Sequence, residues 1–371
     1  MSSRTRPFLA GVFALAVLCL LPSCSSRGVN PPPQPLRESA LSAPADSVFL
    51  VGDAGKRGAG DQVLAALREE VSATSTQLGS GHVTVIFLGD NIYEDGLPDE
   101  DGTRDFRWAL GLLMAQVQSA NVNPGVMVYF VPGNHDWDYQ GPRGLARIRR
   151  QTQELGKLGS NVAMLPGNGC PGPAVRTAGD RLQIVFLDTQ WWLHQHTKPA
   201  EGACTPGTEM DVTAAIENVL SNADGRLSIV VAHHPLISGG PHGRDPWKGK
   251  RTNEQDQNHD TNLHMRTAIL GALKQSPPVA WVSGHEHTLE VLQGGGAQFL
   301  LVSGAGNFGH TETTIPDPAR GTWLFPPGKL EVSGGYMRLD IPAEGAPSMS
   351  VITVDRNRTR RTVFSRVLES P

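Results

Sequence analysis

Short runs of apolar and β-branched residues recur along the chain: Val48 to Val51, Val83 to Leu88, Val126 to Val131, Leu182 to Leu187, Leu227 to Ala232, Val279 to Ser283 and Phe299 to Ser303. Apolar runs this short read as strands buried on both faces. Between several of them lie amphipathic stretches: Asp61 to Ser72, Phe106 to Val117, Leu145 to Leu158, Met210 to Leu220 and Met265 to Lys274. These predict helices. The alternation is that of an α/β domain with a parallel or mixed sheet.

The segments just beyond the strands carry the chemistry. In order the runs end in Gly52-Asp53-Ala54-Gly55, Gly89-Asp90-Asn91-Ile92-Tyr93, Gly133-Asn134-His135-Asp136, Asp188-Thr189, His233-His234-Pro235, Gly284-His285-Glu286-His287 and Gly304-Ala305-Gly306-Asn307. Ligands collect beyond the carboxyl ends of strands in an open α/β sheet, so these loops are expected to converge. Their candidate metal-binding residues are Asp53, Asp90, Tyr93, Asn134, His233, His285 and His287. Oxygen and imidazole donors without thiolate suit iron, zinc or manganese better than a structural zinc or a calcium cage. Seven donors exceed what one ion needs. If Asp90 bridges, each of two ions receives four protein ligands and keeps open positions for water and substrate. Two ions about 3.5 to 4 Å apart clamp the attacking and leaving oxygens of an in-line displacement at phosphorus.

At these residues the chain resembles a known family. Gly52-Asp53-x-Gly55, Gly89-Asp90-Asn91-x-Tyr93, Gly133-Asn134-His135-Asp136, His233-x-Pro235 and Gly284-His285-x-His287 are similar to the five ordered motifs of the calcineurin-like metallophosphoesterases. More narrowly they resemble the purple acid phosphatases. Gly55 stands where most of the superfamily has a histidine, and Tyr93 appears in the second motif instead. Val302-Ser303-Gly304-Ala305-Gly306-Asn307 and a tail from Gly334 to Leu368, readable as paired closing strands, resemble the small tartrate-resistant type. The likeness covers about Val48 to Leu368. It implies a four-layer α/β/β/α sandwich with two packed mixed β-sheets.

Residue by residue, the resemblance assigns Asp53, Tyr93 and His287 to Fe(III), and Asn134, His233 and His285 to a divalent ion, Fe(II), Zn or Mn. Asp90 would bridge the two, and a phenolate from Tyr93 on ferric iron would colour the protein. His135 would contact the phosphate and help protonate the leaving alkoxide, with Asp136 orienting it. His242, in Gly240-Pro241-His242-Gly243, resembles a second histidine of the substrate pocket; the alternative is a loop histidine with no task. The implied activity is acid-phosphatase hydrolysis of phosphate monoesters by a metal-bound hydroxide. A phosphodiesterase or nucleotide-anhydride hydrolase on the same site is the nearest rival. A non-catalytic surface lipoprotein with a structural metal centre is a second.

Other polar and aromatic residues read as structural. His82, His194, His196, His259, His264 and His310 are expected to be solvated or hydrogen-bonded, and His234 to pack rather than coordinate. Asp188 is expected to cap a strand end, and Trp191-Trp192 to fill core or lid packing rather than a substrate rim. The insert from Arg244 to Asn262, whose charges cancel, reads as a solvated loop rather than a cover over substrate.

Composition narrows the function classes. Of 371 residues 39% are hydrophobic and 18% charged, enough for a sizeable core. Lys plus Arg number 32 against 36 Asp plus Glu, a net charge of −4, so no cationic field is available for a polyanion and nucleic acid is not an expected partner. Arg4 and Arg6 precede an apolar run from Phe8 to Leu21, followed by small residues, which reads as an export signal over 1–23. Leu21-Pro22-Ser23-Cys24 resembles the lipobox of bacterial lipoproteins, with lipid on Cys24 as the only membrane attachment; ordinary cleavage and an uncleaved anchor are the alternatives. Residues 24–46, with Pro31, Pro32, Pro33, Pro35 and Pro44, read as a semi-extended tether, which leaves 47–371 as the domain. Export to an oxidising compartment leaves Cys170 and Cys204 as the thiols of that domain. They are expected to form one disulfide, the alternative being two unpaired surface thiols.

Overall fold

Alternating side chains along the continuous strands need cover on both faces, and this demand sets the layers. In the computed structural model the described residues are 42–58, 60–98, 102–243, 253–307, 309, 321–325 and 334–369. The signal reading and most of the tether reading (residues 1–41) lie outside them, as do 244–252 of the insert and His310.

Strands β1 (Pro44–Val51), β2 (Val83–Phe87) and β3 (Met127–Phe130) pair in parallel, and β4 (Val162–Met164) joins them at one edge. On the other side β12 (Gly334–Pro342), β13 (Ser348–Val354) and β14 (Arg360–Val367) add antiparallel, giving the order β14-β13-β12-β1-β2-β3-β4. The second sheet is built from β5 (Ala174–Ala178), β6 (Leu182–Phe186), β7 (Leu227–Val231), β8 (Ala280–Ser283), β9 (Leu289–Gln293), β10 (Phe299–Ser303) and β11 (Thr322–Phe325). Its order is β11-β9-β10-β8-β7-β6-β5, with β6, β7, β8 and β10 parallel.

The inner faces of the sheets meet. Val48, Leu50, Ile86 and Tyr129 from the first share one core with Ile184, Phe186, Ile229, Val231, Val282 and Leu301 from the second. The alternate residues point outward. Phe49, Val51, Val85, Phe87 and Phe130 pack under α1 (Gly60–Leu78), α2 (Arg104–Ala120) and α3 (Gly144–Lys157), through Val63, Leu67, Leu113 and Ile148. Val185, Val230, Trp281 and Leu300 pack under α4 (Gln190–Leu193), α5 (Glu209–Ser221) and α6 (Asp260–Leu273), through Trp191, Val212, Ile216 and Ile269. The result is the expected α/β/β/α sandwich with two mixed sheets. Each large apolar side chain so buried stabilises the fold by about 1.5 to 3 kcal/mol. Phe130, stacked on Phe87 at 4.7 Å, is one whose truncation would cost about 3 to 5 kcal/mol.

The five predicted helices are present, although α1 runs on to Leu78 and α6 opens at Asp260, inside the stretch read as a loop; the short α4 is not predicted. The first strand opens at Pro44, inside the stretch read as tether, because Pro44 pairs with Pro342. Strands β4, β5, β9 and β11 escaped the sequence reading. The first has three residues, β5 and β11 are half-exposed sheet edges, and β9 begins two residues after a histidine loop. Cys170 and Cys204 are joined by a disulfide between the loop that precedes β5 and the loop that precedes α5.

Candidate metal centre

Loops from both sheets meet at the carboxyl ends of β1, β2, β3, β7 and β8. Three of the turning residues have left-handed backbones: Asp53 (φ 59°), Asp90 (φ 54°) and His285 (φ 68°). This conformation is uncommon outside glycine, tolerated best by Asp, Asn and His, and accumulates at functional sites. Two glycines are required by close approach. At Gly89, with φ 95°, a β-carbon would stand 2.4 Å from His233 Nδ1; at Gly133 it would stand 2.3 Å from Asp90 Oδ1.

The seven sequence-predicted donors form two sets. In the first, Tyr93 Oη lies 3.2 Å from Asp53 Oδ1, 3.2 Å from Asp90 Oδ2 and 3.1 Å from His287 Nε2. A single hydroxyl proton faces two carboxylate oxygens and an imidazole nitrogen. In the second, Asn134 Oδ1 lies 2.9 Å from His233 Nε2 and 3.1 Å from His285 Nδ1, and Asp90 Oδ1 is 3.4 Å from His233 Nε2. The opposite ring nitrogens fix the tautomers. His233 Nδ1 donates to the Leu88 carbonyl at 2.8 Å, and His285 Nε2 donates to the Gln255 carbonyl at 3.2 Å. With the Asn134 carbonyl turned inward, the facing atoms are then all lone pairs with no proton between them. A cation satisfies such an arrangement, and each set has the ligand number and donor type of a transition-metal site. Asp90 offers one oxygen to each set.

Burial sharpens the demand for positive charge. It pushes the Asp53 carboxyl well above the usual carboxylate range, with Asp90 adding to the rise. It pushes Tyr93 up as well, helped by both carboxylates. The same desolvation holds His285 well below the ordinary imidazole value and His287 down to about 4. Asp90 goes the other way: burial opposes ionisation, but the neighbouring histidines, His233 foremost, outweigh it. Ligands must shed protons to bind metal, so a bound cation and these groups favour one another.

His135 stands beside the first set. Its Nδ1 bonds the Glu94 carbonyl, its Nε2 is 4.0 Å from Asp90 Oδ2, and its ring leans on Tyr93 with centroids 4.4 Å apart. Asp136 does not hold that ring, contrary to what adjacency in sequence implies. Its carboxylate accepts from the Asn91 backbone at 3.1 Å, Asn91 Nδ2 at 2.9 Å, the Gly133 backbone at 2.9 Å and Gln151 Nε2 at 3.1 Å. Asp136 therefore ties the second motif loop to the third, and burial pushes its pKa up to about 7. His242 does reach the site, its ring centroid 4.4 Å from that of His285 and its Nδ1 2.7 Å from Asp256 Oδ1. His234 packs: Nδ1 meets Thr189 Oγ1 at 2.8 Å and Nε2 meets Gln255 Oε1 at 2.7 Å. It is close enough to His233 and His285 to share a cation with them. With both ring nitrogens engaged, we assign it no ion.

The described half of the insert is no solvated loop. Gln255, Gln257 and Asn262 are buried, and Gln255 bonds both His234 and His285. Nothing in the polar string Asn253-Glu254-Gln255-Asp256-Gln257 distinguishes these residues, because their partners lie elsewhere in the chain. The residues expected to be structural are mostly so. Asp188 accepts from Trp137 Nε1 at 2.9 Å and from the Trp191 backbone at 3.1 Å, and both tryptophans of α4 are buried. His82 pairs with Asp46, His264 with Glu209, and His259 caps α6; His196 is exposed, whereas His194 is buried against Trp137 rather than solvated.

A two-sheet sandwich with metal-ligand loops from both sheets defines a metallophosphoesterase-like protein. The sequence profile of the calcineurin-like phosphoesterases matches residues 47–289, and the chain belongs to that family. Members of the family use two metal ions. Among curated proteins it is similar to purple acid phosphatase 17 of Arabidopsis thaliana, 23% identical over 316 residues that cover 83% of this chain and 82% of that protein. Purple acid phosphatase 7 of the same plant is 21% identical and covers 70% of each chain. Among solved structures, GAP50, the anchor in the inner membrane complex of Plasmodium, shares the fold with a TM-score of 0.58 at 15% identity, covering 88% of this chain and 89% of that one.

Proposed function

We propose that the protein is a phosphomonoesterase of the purple acid phosphatase type. The observation that carries this reading is Asp90, whose two oxygens face two separate donor sets. Asp53, Asp90, Tyr93 and His287 would hold a ferric ion, and Asp90, Asn134, His233 and His285 a divalent one, Fe(II), Zn or Mn. When bound, the pair supplies Lewis-acid charge at the phosphoryl oxygens and acidifies water.

The protein's own residues do the rest. His135, anchored through Nδ1 by the Glu94 carbonyl, directs Nε2 into the site, where it stabilises the developing charge and gives a proton to the leaving alkoxide. His242 is a second acid. Burial works against its charge, but the hydrogen bond it donates to Asp256 and the charges of Glu286, Asp256 and Asp90 together outweigh it, and its pKa is raised, so it keeps a proton to give. Asp136 sets the distance between the loops of Asp90 and Asn134. Turnover of a nitrophenyl monoester against its diester, on protein assayed for bound metals, tests the reading. Preference for the monoester with two ions per chain supports it. Preference for the diester makes the protein a phosphodiesterase, and no turnover by protein loaded with both ions leaves a binding role. Export, with lipid on Cys24 and a tether that ends before β1 opens at Pro44, belongs to the same proposal. The charged, apolar and small-residue blocks of the first two dozen residues support it, and mass spectrometry of the mature N-terminus tests it.

A further inference from the structure

The turn after Trp137 supplies no metal donor, yet its backbone is unusual. Asp138, Tyr139 and Gln140 are three consecutive non-glycine residues in the left-handed region, with φ of 62°, 43° and 70°. Such a run persists only where the surroundings over-determine it. They do. Asp138 Oδ1 is paired with Arg147 Nε at 2.8 Å, its Oδ2 accepts from the Arg143 backbone at 3.1 Å, and the Tyr139 N–H donates to the Asn134 carbonyl at 3.1 Å. The outcome is that one face of the Tyr139 ring lies flat on His135, centroids 4.6 Å apart and planes 21° apart. His135 in turn leans on Tyr93. The three rings form a ladder from the metal donors outward. Its last rung is 47% exposed, a large aromatic presented to solvent beside the proton donor.

We propose that Tyr139 is a specificity-determining residue, its exposed ring stacking on the leaving group of the substrate and selecting aryl phosphates over alkyl ones. This rests on the phosphoesterase reading above. With the phosphoryl group at the metal donors and the leaving oxygen at His135, the organic portion emerges over the next rung.

Metal-loaded wild type, Tyr139→Phe and Tyr139→Leu are compared for kcat/KM on phenyl and methyl phosphate, and for binding of phenyl-, cyclohexyl- and methylphosphonate by calorimetry. Aromatic stacking predicts that Tyr139→Leu lowers the phenyl-to-methyl ratio about three- to tenfold in both measurements, while Tyr139→Phe keeps it. It also predicts that the wild type binds phenyl- more tightly than cyclohexylphosphonate. An unchanged ratio in Tyr139→Leu, with active enzyme, overturns the role of Tyr139 and leaves the phosphoesterase reading standing. Protein that neither binds nor hydrolyses any of these probes overturns both.

Discussion

Asp90→Asn is the sharpest perturbation of the centre. Asparagine tolerates the left-handed backbone that residue 90 adopts, with φ 54°, and is nearly the same size, so the loop should keep its path. The change replaces one acceptor oxygen by a donor, and an amide oxygen can serve one donor set but not two. An ion present at one hundred times its dissociation constant stabilises the native state by about 2.7 kcal/mol, and two such ions by about 5 kcal/mol. At roughly 2.1 cal/mol/K per residue over about 300 ordered residues, the unfolding entropy is about 0.6 kcal/mol/K, so loading both sites should raise the Tm of the wild type by about 8 °C. Asp90→Asn should gain no more than about half of that. Thermal melts of chelator-stripped and reloaded protein measure the shift, and elemental analysis counts the ions. A variant that keeps two ions per chain and the full shift would refute the bridge.

Four further outcomes are expected. Tyr93→Phe should bleach the visible absorption of iron-loaded protein while its far-ultraviolet dichroism stays that of the wild type; an unaltered visible spectrum rules out the ferric phenolate. His135→Ala should lower kcat by about two to four orders of magnitude, the range for a lost proton transfer, and steady-state kinetics that show no drop dismiss its role. Gly89→Ala places a β-carbon 2.4 Å from His233 Nδ1, and should lose metal from the Asn134 side first, visible as one ion per chain. Glu290 is fully buried, and desolvation pushes its pKa from 4.5 up to about 8, against the hydrogen bonds from Thr288 and the Gly239 backbone. The folded state therefore holds a proton that the unfolded chain releases near 4.5. The stability this contributes is complete below 4.5 and is lost as pH rises to about 8. Glu290→Gln should flatten the dependence of Tm on pH over that window; parallel curves would argue against it.

Much of this fold is legible in the sequence, for a physical reason. Strands covered on both faces leave continuous apolar runs such as Val83 to Leu88, and a parallel sheet places function in the loops that come after them, so Asp53, Asp90, Asn134, His233 and His285 stand out. Edge strands leave no such trace. Strand β5 buries only its last residue, and its sequence Ala-Val-Arg-Thr-Ala carries no alternation. Residues that support the site through main-chain oxygens are equally silent: Glu94 holds His135 and Gln255 holds His285 by carbonyls, which every residue type possesses. Asp136 misleads for a related reason. Adjacency in sequence places it next to His135, yet the turn directs consecutive side chains apart, one into the site and one into the loop interior.

The candidate ligands divide by origin. Asp53, Asp90, Tyr93 and Asn134 come after strands of the first sheet, whereas His233, His285 and His287 come after strands of the second. Each donor set contains members of both. During synthesis, a chain that has emerged only as far as β6 holds every oxygen donor and no imidazole ligand. A complete donor set therefore exists only once both sheets have formed, and an ion held by it would tie the two halves of the sandwich together.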